Sequence, residues 1–178
     1  MAKDVAIVHH ADRRRDVHMP YAPGIVVTRG RLVFLSGVTA AAVYHSHPHR
    51  DEEFDLPATM REQAVLTMEN LKKTLAAAGS SLRDLVSATR FLTDVREQDE
   101  LNRVWAEYLE GHLPTTTTVE VSRLATHPRC KIEISAIAVC DDGGHEMAPI
   151  AKPKGATPPS DSPGPALGPP RRSRRGPR

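Results

Sequence analysis

The stretch that most constrains the fold is Pro114 to Val139, PTTTTVEVSRLATHPRCKIEISAIAV. Val119-Glu120-Val121 alternates apolar and polar, and Lys131 to Ile137 alternates again, with the turn-rich run Ala125 to Arg129 between them. Period-two alternation bounded by turn residues predicts two strands. In the second strand Lys131, Glu133 and Ser135 share one face, and Ile132, Ile134 and Ala136 share the other. The isoleucine face suits a core, so Glu133 need not lie in it.

The rest of the chain supplies what such strands pack against. Residues 1–24 read as irregular or weakly extended. Ile25 to Thr28 and Arg31 to Ser36 are β-rich, and Arg29-Gly30 between them reads as a hairpin turn, since glycine supplies positive φ. A polar loop over 38–57 contains YHSHPHRDEEFDLP and closes at Pro57. Thr59, with Glu62 three residues on, fits a capping box. The helix it opens carries Ala64, Met68, Leu71, Leu75 and Ala78 at three- and four-residue spacing and ends at Gly79. Leu85 to Leu92 is a strand, and 94–99 is a polar link. Leu101, Val104, Trp105 and Tyr108 mark one face of a second helix, which stops near Gly111. The order β-β-α-β-α-β-β predicts an α+β sandwich with both helices on one face of a mixed sheet.

Composition divides the chain of 178 residues in two. Residues 141–178 hold nine of the fifteen prolines and seven Lys/Arg against four acids. Such a segment buries too little apolar surface to offset the cost of ordering, so a folded domain over 1–140 and a disordered Pro/Arg-rich tail over 141–178 are expected. The domain then has 17 bases and 18 acids. That balance is unlike a nucleic-acid surface, and the basic tail reads as a flexible extension. Cys130 and Cys140 sit at the two ends of one strand, roughly 33 Å apart when extended. They cannot pair within it, which favours a reduced compartment. The N-terminus lacks the apolar run of a signal peptide, and no run approaches a membrane span. A cytoplasmic protein without membrane contact is expected.

Several segments, in order, resemble the RidA (YjgF) family of enamine/imine deaminases. Pro20-Tyr21 is similar to its G-P-Y motif, with Met19 in place of the glycine. Leu32 to Gly37 resembles V-F-x-S-G, and Gln63 to Gly79 resembles Q-x-x-x-x-x-E-N-L-K-x-x-L-x-A-A-G. Phe91 to Asp94 resembles F-L-T-D, and Lys131 to Ile134 resembles the K-I-E-I ending. Pro114 to Val121 resembles P-A-R-S-x-V-E-V, except that Thr116 stands at the arginine. The resemblance covers roughly residues 20–140. It implies a chorismate-mutase-like subunit in a homotrimer, sheets inward and helices outward, with three ligand clefts at subunit interfaces and no metal or cofactor.

The same resemblance nominates site residues. Glu133 matches the glutamate that positions or activates water; otherwise it is an outward strand residue in a salt bridge. Tyr21 matches a tyrosine lining the cleft from a neighbouring subunit, or is a partly buried loop residue. Ser36 matches the serine near the ligand, or only makes the turn with Gly37. The family arginine grips the substrate carboxylate through paired charge-assisted bonds, and a threonine hydroxyl cannot replace it. Thr116 and Thr118 offer hydroxyls for an anion or carbonyl, or are simply good strand formers. Arg90 is a candidate replacement anchor, or a salt-bridged surface residue. Tyr44, His45 or His47 can line the cleft, where a histidine can move a proton. His45-Ser46-His47-Pro48-His49 has a spacing that metal sites use, but a solvated loop is the simpler reading.

The reading that follows is a protein with an altered cleft, processing a small imine, enamine or carbonyl-type metabolite. The alternative is a non-catalytic module that binds a small metabolite. RNA binding or cleavage is a third reading, which the near-neutral domain disfavours.

Overall fold

The computed structural model describes residues 1–13, 16 and 19–142. Its strands and helices run β1 (Asp4–Val8), β2 (Gly24–Arg29), β3 (Arg31–Thr39), α1 (Met60–Ala77), β4 (Leu85–Leu92), α2 (Gln98–Leu109), β5 (Thr115–Glu120) and β6 (Ile132–Cys140). The expected α+β class holds: a four-stranded mixed sheet in the order β3-β6-β4-β5 carries both helices on one face. β6 is antiparallel to β3 and β4, while β5 runs parallel to β4. The tail beyond 142 lies outside the described residues, as do its basic run and its expected disorder.

Two expectations about the N-terminal part need correction. Residues 1–24, expected to be irregular or weakly extended, contain a defined strand: Asp4–Val8 forms β1, antiparallel to β2 in a separate two-stranded sheet. Its residues are mostly exposed, so backbone pairing holds it rather than a buried side-chain pattern, and the sequence signal is weak. The second correction concerns the hairpin. β2 and β3 are not paired with each other; β3 pairs with β6. Only Gly30 separates β2 from β3, too few residues for a hairpin loop. Gly30 turns the corner at φ 128°, and a Cβ there would lie 2.5 Å from the Val139 side chain. The glycine is thus needed for close approach to β6.

The helices form as their sequence dictates. The Thr59 hydroxyl accepts from the Glu62 N–H at 3.3 Å and donates to its carboxylate at 2.5 Å, closing the first turn of α1. At the other end the chain leaves through Gly79 at φ 68°. Met68, Leu71 and Leu75 from α1, Leu101 and Val104 from α2, and Leu85, Leu92, Ile132 and Ile134 from the sheet are fully buried together. Each such side chain contributes about 1.5–3 kcal/mol by leaving water. Gln63 ties α1 to the start of β6: its amide donates to the Pro57 and Arg129 carbonyls and accepts from the Lys131 N–H, all at 2.8 Å.

The opposite face of the sheet is different. Leu32 and Phe34, alternating with the core-facing Val33 and Leu35, are 51% and 72% exposed. Below the loops, a smaller cluster of Ala41, Phe54, Leu124 and Cys130 closes one end of that face.

Candidate functional site

The nominated residues fall into two groups on the two sides of the sheet. Tyr21, Arg90, Thr116 and Thr118 line one cleft of about 410 Å³. Ser36 and His45 line another cavity of about 450 Å³. Glu133 belongs with the second group: a Cβ built on Gly37, in the wall of that cavity, would lie 2.0 Å from its Oε1.

The first cleft is assembled by β4, β5 and α2. The parallel register sets Ala88 beside Thr116 and Arg90 beside Thr118. Side chains alternate, so Arg90 falls on the helix side together with Ala88 and Leu92. A guanidinium there must find partners. Its Nε and Nη2 donate to Thr118 Oγ1 at 3.0 and 2.7 Å, and its Nη1 donates to Asn102 Oδ1 at 3.0 Å. The Trp105 ring lies beneath it, 5.3 Å from the ring centroid to Cζ. Arg90 is 7% exposed, and none of its recorded partners among the described residues is a carboxylate. Burial alone therefore pushes its pKa down, to about 10. Three of its five N–H groups are engaged, which leaves two donors.

Tyr21 reaches this cleft because the segment before β2 is tethered to β5: the Ala22 N–H donates to the Pro114 carbonyl at 3.2 Å. Thr116, two residues along, uses its own hydroxyl on the Pro114 carbonyl at 3.3 Å. One further donor borders the cleft. Trp105 is 3% exposed, and its indole N–H has no hydrogen-bond partner among the described residues. Asn102 and Trp105 were not nominated from the sequence, where Trp105 reads as a core residue of α2. The available signal was Arg90 itself, a charge on the strand face that packs against α2.

The second group stands on the end of β3. Asn70 of α1 donates to the Thr39 and Ala41 carbonyls at 3.0 and 2.9 Å, fixing the exit of that strand. Glu133 pairs in register with Thr39 on one side and Phe91 on the other. Beyond Ala41 the loop folds over Phe54. His45 and His49 pack on its ring at 5.2 and 5.3 Å between centroids, and His127 stacks on it at 4.4 Å. Desolvation, then the neighbouring imidazoles of His47 and His45, hold the pKa of His49 below its usual value.

Chemically, the first group can hold a carboxylate and the second can hold a water beside a carboxylate base. A single chain does not bring the two groups into one cavity.

Comparison with known proteins gives a consistent picture. The family model described as endoribonuclease L-PSP matches residues 13–140. The chain is 39% identical over 113 residues to the mitochondrial protein mmf2 of Schizosaccharomyces pombe, which covers 63% of this chain and 82% of that one. It is 34% identical over 123 residues to TdcF of Escherichia coli, described as a candidate reactive intermediate deaminase, covering 67% and 86%. The crystal structure of E. coli TdcF with bound serine superposes with a TM-score of 0.51 at 31% identity, covering 75% of this chain and 98% of that one.

Proposed function

Because the chain belongs to the endoribonuclease L-PSP family, the YjgF/RidA proteins, we propose that it hydrolyses a small imine or enamine bearing a carboxylate, with Arg90 as the carboxylate anchor. The observation that carries this reading is a buried guanidinium on the wall of a cleft with no anionic partner among the described residues. An isolated buried charge costs several kcal/mol, and an anionic ligand offsets that cost. The two unused N–H groups of Arg90, and the unpartnered Trp105 indole beside it, are donors suited to carboxylate oxygens. The serine seen in TdcF carries such a carboxylate.

In this reading the clefts lie between copies of the chain. Arg90 and Tyr21 of one copy face Ser36 and Glu133 of the next, in a homotrimer. The uncovered Leu32 and Phe34 support an assembly of that kind, since a sheet face this apolar is covered in most proteins. The reaction then needs one water. Glu133 takes a proton from the water as its oxygen bonds to the imine carbon. The imine nitrogen gains a proton to give a carbinolamine. Collapse of that adduct forms the C=O bond and expels ammonia, leaving a keto acid.

The test is keto-acid release from imines generated in place by an amino-acid oxidase, with wild type beside Arg90→Met. Wild-type acceleration that Arg90→Met loses supports the reading. Acceleration unchanged in Arg90→Met sinks the anchor. Saturable binding of a carboxylate ligand without turnover makes the chain a metabolite-binding module with the same anchor.

A further inference from the structure

A second set of polar side chains converges where the imine reading does not use it. The loop after β3 gathers His45, His47 and His49, with ring centroids 4.9, 5.0 and 4.7 Å apart. One ligand nitrogen from each lies within 4.8 Å of the other two. The arrangement is supported from behind. The His45 Nδ1 is 2.8 Å from the Ala42 carbonyl, which can only accept, so Nδ1 carries the proton and Nε2 keeps its lone pair. This is the support that metal-bound imidazoles usually have. Glu53 accepts from both the N–H and the hydroxyl of Ser46 at 2.7 and 2.5 Å, fixing the residue between His45 and His47. Phe54, fully buried, is the floor on which His45 and His49 rest.

We propose that His45, His47 and His49 bind one divalent transition-metal ion of the zinc class, through three imidazole nitrogens, with the fourth tetrahedral position left to water.

The geometry is close to what such an ion needs. Zn–N bonds of about 2.0–2.1 Å put tetrahedral ligand nitrogens about 3.3 Å apart. From the present spread each imidazole moves inward by less than about 1 Å, a side-chain rotation on an exposed loop. Among the described residues no carboxylate oxygen joins the three nitrogens, and Glu53 of the same loop is engaged by Ser46. The donor set is therefore nitrogen, which suits zinc, nickel and copper and disfavours magnesium and calcium. His45 also lines the cavity of Ser36 and Gly37, so the ion would stand at the rim of that cavity with its open position available to water.

The experiment uses the full chain, stripped with chelator and desalted, then titrated with Zn²⁺ against a chromophoric competitor and separately with Co²⁺. The expected result is one ion per chain, with the intense visible bands of four-coordinate cobalt. His47→Ala and His49→Ala each weaken binding by at least the roughly 10–100-fold seen when an outer-shell partner is lost. Neither histidine is buried, so these variants keep the fold, which circular dichroism checks. His112→Ala, whose imidazole instead bonds the Leu85 carbonyl, keeps the ion. The proposal is overturned if no ion binds in the micromolar range. It is equally overturned if the His45→Ala/His47→Ala/His49→Ala variant binds as well as wild type, or if bound cobalt shows only the weak bands of a six-coordinate aquo ion.

Discussion

The Arg90 guanidinium and the Thr118 hydroxyl are locked in a forked pair, Nε and Nη2 both reaching Oγ1 at 3.0 and 2.7 Å. The parallel register of β4 and β5 makes this pair, and the pair aims the other end of the guanidinium.

Arg90→Met and Thr118→Val should therefore part company. Thr118→Val leaves two N–H groups of a buried cation without an acceptor and should cost about 1–3 kcal/mol of stability. Arg90→Met replaces an unpaired buried charge by an apolar chain of similar length, and stability should be unchanged or higher. Its kcat/KM on carboxylate imines should nonetheless fall about 10²–10³-fold. Thermal melts beside steady-state kinetics separate the two. A strongly destabilised Arg90→Met would make Arg90 a structural residue.

Thr116 lies on the same face of β5 as Thr118 and lines the same cleft as Arg90. An arginine placed there should restore what Arg90→Met removes. The double variant Arg90→Met/Thr116→Arg is expected to recover at least about tenfold of the lost kcat/KM, since either position then offers a forked donor pair. No recovery would mean that the two positions do not serve one carboxylate.

Gly37 keeps Glu133 where it is. A methyl group at residue 37 would come within 2.0 Å of Oε1 and 2.7 Å of Cδ, so the carboxylate must swing aside. Gly37→Ala should lower kcat about as much as Glu133→Gln, roughly 10²-fold for a misplaced base, with KM little changed. Gly37→Ala at wild-type turnover would remove Glu133 from the mechanism.

Acid sensitivity should be traceable to Asp84. Desolvation works against its charge, but bonds from Lys3 and from the Ser81 hydroxyl and N–H prevail and lower its pKa below the ordinary 3.8. Folding thus favours the ionised form. The contribution is complete above about pH 4 and fades as the pH falls through the lower folded value. Asp84→Ala should destabilise the fold near neutral pH, and the gap to wild type should narrow in stronger acid. Melts of both proteins across that range read it directly. A gap that stayed constant would mean that Asp84 titrates as it does in the unfolded chain.

Sequence legibility followed local physics. α1 could be read because Thr59, Glu62 and Gly79 punctuate it and its apolar residues repeat at helical spacing, and β4 because LVSATRFL is bounded by polar links. β1 could not, because DVAIV is held by backbone pairing and buries little. The hairpin expected at Arg29-Gly30 failed for a related reason: the partner of β3 is β6, about a hundred residues on, and no local turn signal encodes that. Within the site, the face of Glu133 followed from alternation alone. The separation of Ser36 and Glu133 from Tyr21, Arg90 and Thr116 did not, since it depends on which side of one sheet each strand presents.

Arg90 sits on β4, which is paired on both sides, by β6 and by β5, whereas Thr116 sits on β5, at the sheet edge of the single chain. The two positions therefore run on different clocks. An edge strand frays and re-pairs often, while a strand in the middle of a sheet opens only when much of the domain does, so its amides exchange with solvent among the slowest. A guanidinium carried by β4 is held in place for as long as the domain stays folded.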